Sequence, residues 1–235
     1  MIVISLGGSL LFNGDKEFNM DYLRQLAPLF TKIHEKEGLA VVVGGGITAR
    51  KYASTARAFK GSEFESDTLG IRVTRLNARI VALAISSSTS NDSDGENASY
   101  AHNFQEATDI IKEDKIPVMG GLLEGITTDA CAMLLAEKHK AKALVNLSAI
   151  DYLYSGDPKK DKSAKKLETI THVELTALAA QNDARMASTN FPFDLVACKL
   201  AQRSNIQINF VDGHNLKEAE NALNGKMFKG TLVKD

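Results

Sequence analysis

The chain has 235 residues, 44% hydrophobic and 24% charged, with 28 Lys and Arg against 29 Asp and Glu. A single α/β domain of roughly 250 residues is ordinary, so this length suits one large core. The formal net charge of −1 argues against a nucleic-acid partner, which needs a clustered basic face, and no apolar run approaches the roughly 20 residues of a membrane span.

The start MIVISLGGSLLF has no basic leader and reads directly into a strand, so no secretory signal is expected. Ile2–Leu6 reads as that strand and ends at Gly7-Gly8. Asp21 opens an amphipathic helix (Tyr22, Leu26, Leu29, Phe30, Ile33) that stops at Gly38, with a kink predicted at Pro28. Leu39–Val43 is a continuous apolar run, as a strand covered on both faces requires. Helices follow from about Ile47 to Phe59 and from near Asp67 through Leu83. SSSTSNDSDGENAS (Ser86 to Ser99) reads as a mobile surface loop. A short helix near Gln105–Lys112 leads to the strand Ile116–Met119, and GGLLEGITTDA turns into a helix over Ala130–His139. Ala143–Leu147 is again a buried strand, and Thr171 with Glu174 forms a capping box before another helix. A strand over Ile206–Val211, a helix near Leu216–Leu223 and an extended GTLV complete the pattern.

Strand–helix–strand alternation predicts a three-layer αβα domain over residues 1–235 with a mainly parallel central sheet. Ligands of such sheets sit beyond the carboxyl ends of the strands. Glycine turns fall at those ends: Gly7-Gly8-Ser9, Gly44-Gly45-Gly46 and Gly120-Gly121. Together they predict backbone N–H groups presented to several phosphates, on two substrates. A dinucleotide fingerprint at Gly44–Ala49 is disfavoured, because the KGSEFESD stretch ending at Asp67 has no apolar strand run to carry the ribose-binding acid. No P-loop pattern and no metal-ligand spacing occurs, and Cys131 and Cys198 read as buried small hydrophobes. Thr127-Thr128-Asp129 at a helix start suits either a phosphate or ordinary capping.

The order LGGSL, VVVGGGITARKY, GI-x-x-TRLNA, PVMGG, TTDA, YSGDPKKD and GT-x-V resembles the amino-acid-kinase superfamily, and within it the archaeal-type uridylate kinases. The resemblance implies a cytoplasmic enzyme of pyrimidine nucleotide synthesis that moves the γ-phosphoryl group of ATP, as its Mg2+ complex, to UMP. It also implies a homohexamer, with the acceptor site mainly in the N-terminal half and the ATP site mainly in the C-terminal half. On the ATP side it implicates Gly8, Ser9, Gly46, Arg50, Ser148, Tyr154 and Asp157. On the UMP side it implicates Gly45, Asp67, Leu122, Leu123, Glu124, Gly125, Ile126, Thr127 and Thr128. Asp194 matches a family aspartate near the phosphates.

The chain departs from the family pattern at Ser5, where many members carry lysine, at Glu124 in the acceptor loop, and at Tyr152, where glycine is usual. Arg50, Lys199 and the lysines between Lys159 and Lys166 are the candidate replacement cations. Ser5 and Glu124 also keep alternatives open: a sister kinase acting on isopentenyl phosphate or a carbamate, or a nucleotide- or oxyanion-binding protein without turnover.

Overall fold

The computed structural model describes residues 1–14, 17–88, 97–156, 158, 162–182 and 193–235. The chain begins with β1 (Ile2–Leu6), a 3-10 turn (Gly8–Leu11), the small hairpin β2 (Phe12–Asn13) and β3 (Glu17–Phe18), and α1 (Met20–Glu37). There follow β4 (Leu39–Val43), α2 (Gly46–Ala58), α3 (Glu63–Ser87), β5 (Ala98–Ala101), α4 (Phe104–Lys112), β6 (Ile116–Met119) and α5 (Thr128–Lys138). The C-terminal part contains β7 (Ala143–Ser148), the hairpin β8 (Leu153–Tyr154) and β9 (Lys166–Leu167), then β10 (Thr169–Ile170) and α6 (His172–Asn182). It ends with α7 (Leu195–Ser204), β11 (Gln207–Asp212), α8 (Leu216–Leu223) and β12 (Gly230–Val233).

Among the described residues, one sheet runs β10-β12-β11-β7-β1-β4-β6-β5. Its pairings are parallel except that β12 lies antiparallel to β11. The central strands are largely apolar on both faces because each face is covered. Ile2, Ile4, Leu6, Val41 and Val43 join α1, α3 and α8 in one core. Val3, Ala40 and Val42 join residues of α4, α5, α6 and α7 in the other. The expected three layers are therefore present.

Local signals explain most element ends. Asn19 caps α1 by accepting from Tyr22 N, and Gly38 closes it with φ +71°. Thr171 and Glu174 bond reciprocally at the start of α6, as the capping-box spacing requires. Pro28 lies inside α1.

Two boundaries differ from expectation. α3 starts at Glu63, four residues before Asp67, because Ser62 and Glu65 form a second capping box. Of the segment expected to loop over Ser86–Ser99, Ser86 and Ser87 instead end α3 and Ala98–Ala101 pairs with β6 as an edge strand, while 89–96 lie outside the described residues. α7 carries no prior expectation, since its start depends on Asp194 accepting from Val196 N and Ala197 N.

Candidate active site

Because β7, β1, β4 and β6 are parallel neighbours, their carboxyl ends lie along one edge. Ser148 ends β7, and Gly7-Gly8, Gly44–Gly46 and Gly120-Gly121 directly follow the ends of β1, β4 and β6. The first two glycine turns lie backbone on backbone. A Cβ at Gly8 would stand 2.3 Å from Gly44 O and Gly46 N, and one at Gly46 would stand 2.5 Å from Gly8 O. Their amides also serve the sheet, with Gly7 N donating to Leu147 O at 2.7 Å and Gly44 N to Leu6 O at 2.8 Å. Asn77 of α3, buried, donates to Gly44 O at 2.9 Å and fixes the second turn.

Beyond these turns a cleft of about 200 Å³ opens between α2, α3 and the segment Gly121–Thr128. Helical periodicity determines which side chains face it. Ala49, Arg50, Ala53 and Arg57 line it from α2; Ser66, Asp67, Gly70, Ile71 and Thr74 line it from α3. Ile126, Thr127 and Thr128 lead into the N-terminus of α5, where unpaired amides favour an anion. Arg57 is bound to Glu63 through two hydrogen bonds of 2.8 and 2.7 Å. The cleft thus combines guanidinium groups and a helix N-terminus with one carboxylate, Asp67, a set that suits a phosphate joined to a diol.

The segment Gly121–Ile126 is tied to α3 at several points. Thr74 Oγ1 accepts from Gly121 N at 2.7 Å, and Arg75 donates to Gly121 O at 3.1 Å and to Leu122 O at 3.3 Å. Asp67 Oδ2 accepts from Gly125 N at 2.8 Å, and Thr68 Oγ1 donates to Glu124 Oε1 at 2.7 Å. The Thr68 hydrogen bond holds the Glu124 carboxyl below its usual range. Leu122 packs against the α5-side core, while Leu123 is exposed.

A second polar cluster lies behind the turns. Ser5 and Asn146 are register partners on β1 and β7, and the strand period of two turns both toward α5 while Ile4, Leu6, Val145 and Leu147 face the other core. Asp129, in the first turn of α5, accepts from Ser5 Oγ at 2.5 Å and from Asn146 Nδ2 at 2.9 Å. Burial pushes the Asp129 carboxyl up to about 7; the Ser5 and Asn146 bonds oppose the rise, and the charge of Asp194 adds to it. Asp194 itself accepts from the Thr127 hydroxyl while capping α7. The two cysteines are buried and free, and desolvation raises both thiols, Cys131 to about 11.

Of the residues implicated on the UMP side, Asp67, Ile126, Thr127 and Thr128 line the cleft, while Leu122 to Gly125 form its outer loop and Gly45 lies at the start of α2. Of those implicated for ATP, Gly8, Ser9 and Gly46 meet at the paired turns, and Arg50 lines the same cleft as Asp67. Ser148 adjoins the first turn, since Cβ of Gly7 would lie 3.3 Å from its Cα, and its buried hydroxyl has no partner among the described residues. Tyr154 OH donates to Asp151 at 3.0 Å; Asp151 also binds Lys166 at 2.6 Å, and Lys166 stands 4.5 Å from the Tyr152 ring centroid. Asp157, Lys159 and Lys160 lie outside the described residues. Lys199 is exposed on α7. Arg57, Thr74, Arg75 and Asp129 received no role from sequence reasoning. Arg75 and Asp129 stand within recognisable motifs, TRLNA and TTDA, but their partners come from distant strands and loops.

A model of the amino acid kinase family matches residues 1–212. The chain is 40% identical over 235 residues to a uridylate kinase of Methanospirillum hungatei, covering 99% of this chain and 94% of the relative. It is 36% identical to a uridylate kinase of Thermococcus onnurineus over 99% of this chain and 98% of the relative. The crystal structure of uridylate kinase from Archaeoglobus fulgidus superposes with a TM-score of 0.83 at 33% identity, covering 99% of both chains. A UMP kinase of Bacillus anthracis, at 19% identity and TM-score 0.80, shares the fold.

Proposed function

The chain belongs to the amino acid kinase family, and we propose that within it the protein is a uridylate kinase, moving the γ-phosphoryl group of ATP to UMP. The observation that carries the reading is the cleft where Arg50, Asp67 and the α5 N-terminus converge beside the paired glycine turns. Full-length similarity to uridylate kinases weighs against a sister kinase or a protein without turnover.

Phosphoryl transfer asks the protein chiefly for alignment and charge neutralisation. A UMP phosphate oxygen attacks the γ-phosphorus, and the bond to the β–γ bridging oxygen breaks, giving UDP and ADP. Asp67, steadied through one oxygen by Gly125 N–H, accepts from the ribose hydroxyls with the other. Arg50 and the α5 N-terminus neutralise the acceptor phosphate and the transferring group. The turn at Gly8-Ser9 and Gly46 hold the donor phosphates, Gly45 faces the acceptor, and Ser148, Tyr154 and Asp157 lie around the ATP nucleoside. Magnesium, arriving as the complex with ATP, would supply charge neutralisation on the donor phosphates beside the Gly8-Ser9 turn.

Residues 1–235 form one domain, with the acceptor mainly on the N-terminal half. The enzyme serves pyrimidine nucleotide synthesis in the cytoplasm; no helix among the described residues is long and apolar enough to cross a membrane. It assembles as a homo-oligomer, a hexamer by resemblance, and the exposed Leu76, Ile80 and Leu83 on one stripe of α3 support an interface there.

The test is ADP release from Mg-ATP with UMP, CMP, dTMP, isopentenyl phosphate and carbamate offered separately. Selective turnover with UMP is expected. Preference for isopentenyl phosphate or carbamate, or no turnover with any acceptor, overturns the reading.

A further inference from the structure

Glu124 introduces a negative charge into a loop that faces an anion-binding cleft, so electrostatics alone would make it a hindrance. Its placement says otherwise. The Thr68 hydroxyl has one proton and two acceptors within reach: Phe64 O of its own helix at 3.0 Å and Glu124 Oε1 at 2.7 Å. The shorter bond, to an ionised partner, is the stronger one. It turns the carboxylate onto α3, and the attraction of Arg75 adds to the hold. Both side chains are half-buried. One residue on either side, Asp67 and Gly125 make the parallel bond of 2.8 Å, and Gly125 sits at φ +76° with open space around it. Leu122 and Ile126 anchor the two ends of the loop in the α5-side core, but its tip, with a left-handed glycine and Leu123 exposed, has little packing of its own to hold it against the helix.

We propose that Glu124 is a positioning residue for the acceptor: with Thr68 it clamps the loop Gly121–Ile126 onto α3, and thereby fixes Asp67 and the loop backbone as one wall of the cleft. The proposal rests on the uridylate-kinase reading for its kinetic consequence and on the geometry alone for its structural one. A clamp acts through hydrogen-bond geometry, so Glu124→Gln and Thr68→Ser, which keep an acceptor and a donor, preserve it. Glu124→Ala and Thr68→Ala release it. Because the two residues act as one unit, their effects are not additive.

The experiment measures steady-state kinetics with UMP varied at saturating Mg-ATP, and amide hydrogen exchange of the free proteins, for wild type, the four single variants and Glu124→Ala/Thr68→Ala. Each alanine variant should raise the KM for UMP by about 3- to 10-fold, the range expected when one partly exposed hydrogen bond of ordinary net strength is lost. The kcat and the KM for ATP should stay within about twofold, and the double variant should be no worse than either single one. Exchange at 121–126 should quicken in both alanine variants and stay unchanged in Glu124→Gln and Thr68→Ser. A lower KM for UMP in Glu124→Ala would identify the carboxylate as a repulsive charge and overturn the clamp. Additive effects in the double variant, or exchange at 121–126 that does not respond, would overturn it as well. If wild type fails to turn over UMP, the kinase reading falls instead, and the exchange data alone decide the clamp.

Discussion

At Asp129 two neutral hydrogen bonds, from Ser5 and Asn146, are set against loss of hydration and the nearby charge of Asp194. Desolvation prevails, and the carboxyl is raised from 3.8 to about 7. An acid whose folded value exceeds its unfolded one is stabilising in its protonated form. That contribution is complete below the unfolded value and is lost as the pH rises through the folded one. The fall spans roughly pH 4 to 7 and is worth at most about 4 kcal/mol, three units at about 1.4 kcal/mol each. Asp129→Asn keeps an oxygen acceptor for both donors but does not titrate. Thermal unfolding followed by circular dichroism from pH 5 to pH 8 should show wild type losing about 5 to 10 °C relative to Asp129→Asn. Parallel curves for the two proteins would mean that Asp129 is ionised throughout. Ser5 was visible in the sequence only as a missing lysine. Its partner was not, because the contact depends on the β1–β7 register that faces Ser5 and Asn146 toward α5.

The elements were more legible than their contacts. Apolar runs marked β4 and β6, and largely apolar ones, broken by Ser5 and Asn146, marked β1 and β7, because a sheet covered on both faces needs no polar alternation. β5 was hidden because ASYA is short, small-residued and adjoins a polar run. The glycine turns were read as places for phosphate to approach; the structure adds that Gly8 and Gly46 are needed for the turns to approach each other. Backbone conformation and space can be separated by comparing two glycines. Gly46 has φ +61° and a crowded Cβ position, whereas Gly14 has φ +57° and nothing within 4 Å among the described residues. Gly14→Ala should cost about 1 kcal/mol, the left-handed penalty alone. Gly46→Ala adds overpacking against backbone and should cost about 2–4 kcal/mol in total. Urea unfolding at unchanged slope checks both. Equal losses would show that the two turns separate readily enough to admit a methyl group.

At the scale of the whole molecule, strand–helix alternation implied a parallel sheet, and a parallel sheet implied ligands at its carboxyl edge. What alternation leaves open is which helix faces remain uncovered once the layers close. α3 shows why: Ala78, Val81, Ala82 and Ile85 enter the core, while Leu76, Ile80 and Leu83, at i, i+4 and i+7, form a second apolar stripe that stays exposed. Leu76 and Leu83 are 64% and 65% exposed, and Phe64 near the start of the same helix is 65% exposed. A helix 25 residues long with apolar stripes on two faces is built to be covered twice. The second cover, on the reading proposed above, is another copy of the chain. Replacing Leu76 and Leu83 together by Asp leaves the core stripe intact and places charges in that interface, where unpaired buried charge is costly. Sedimentation equilibrium should then show a smaller assembly than wild type, with the far-ultraviolet circular dichroism unchanged. An assembly of undiminished mass would remove this face from the interface and leave the stripe to a different partner.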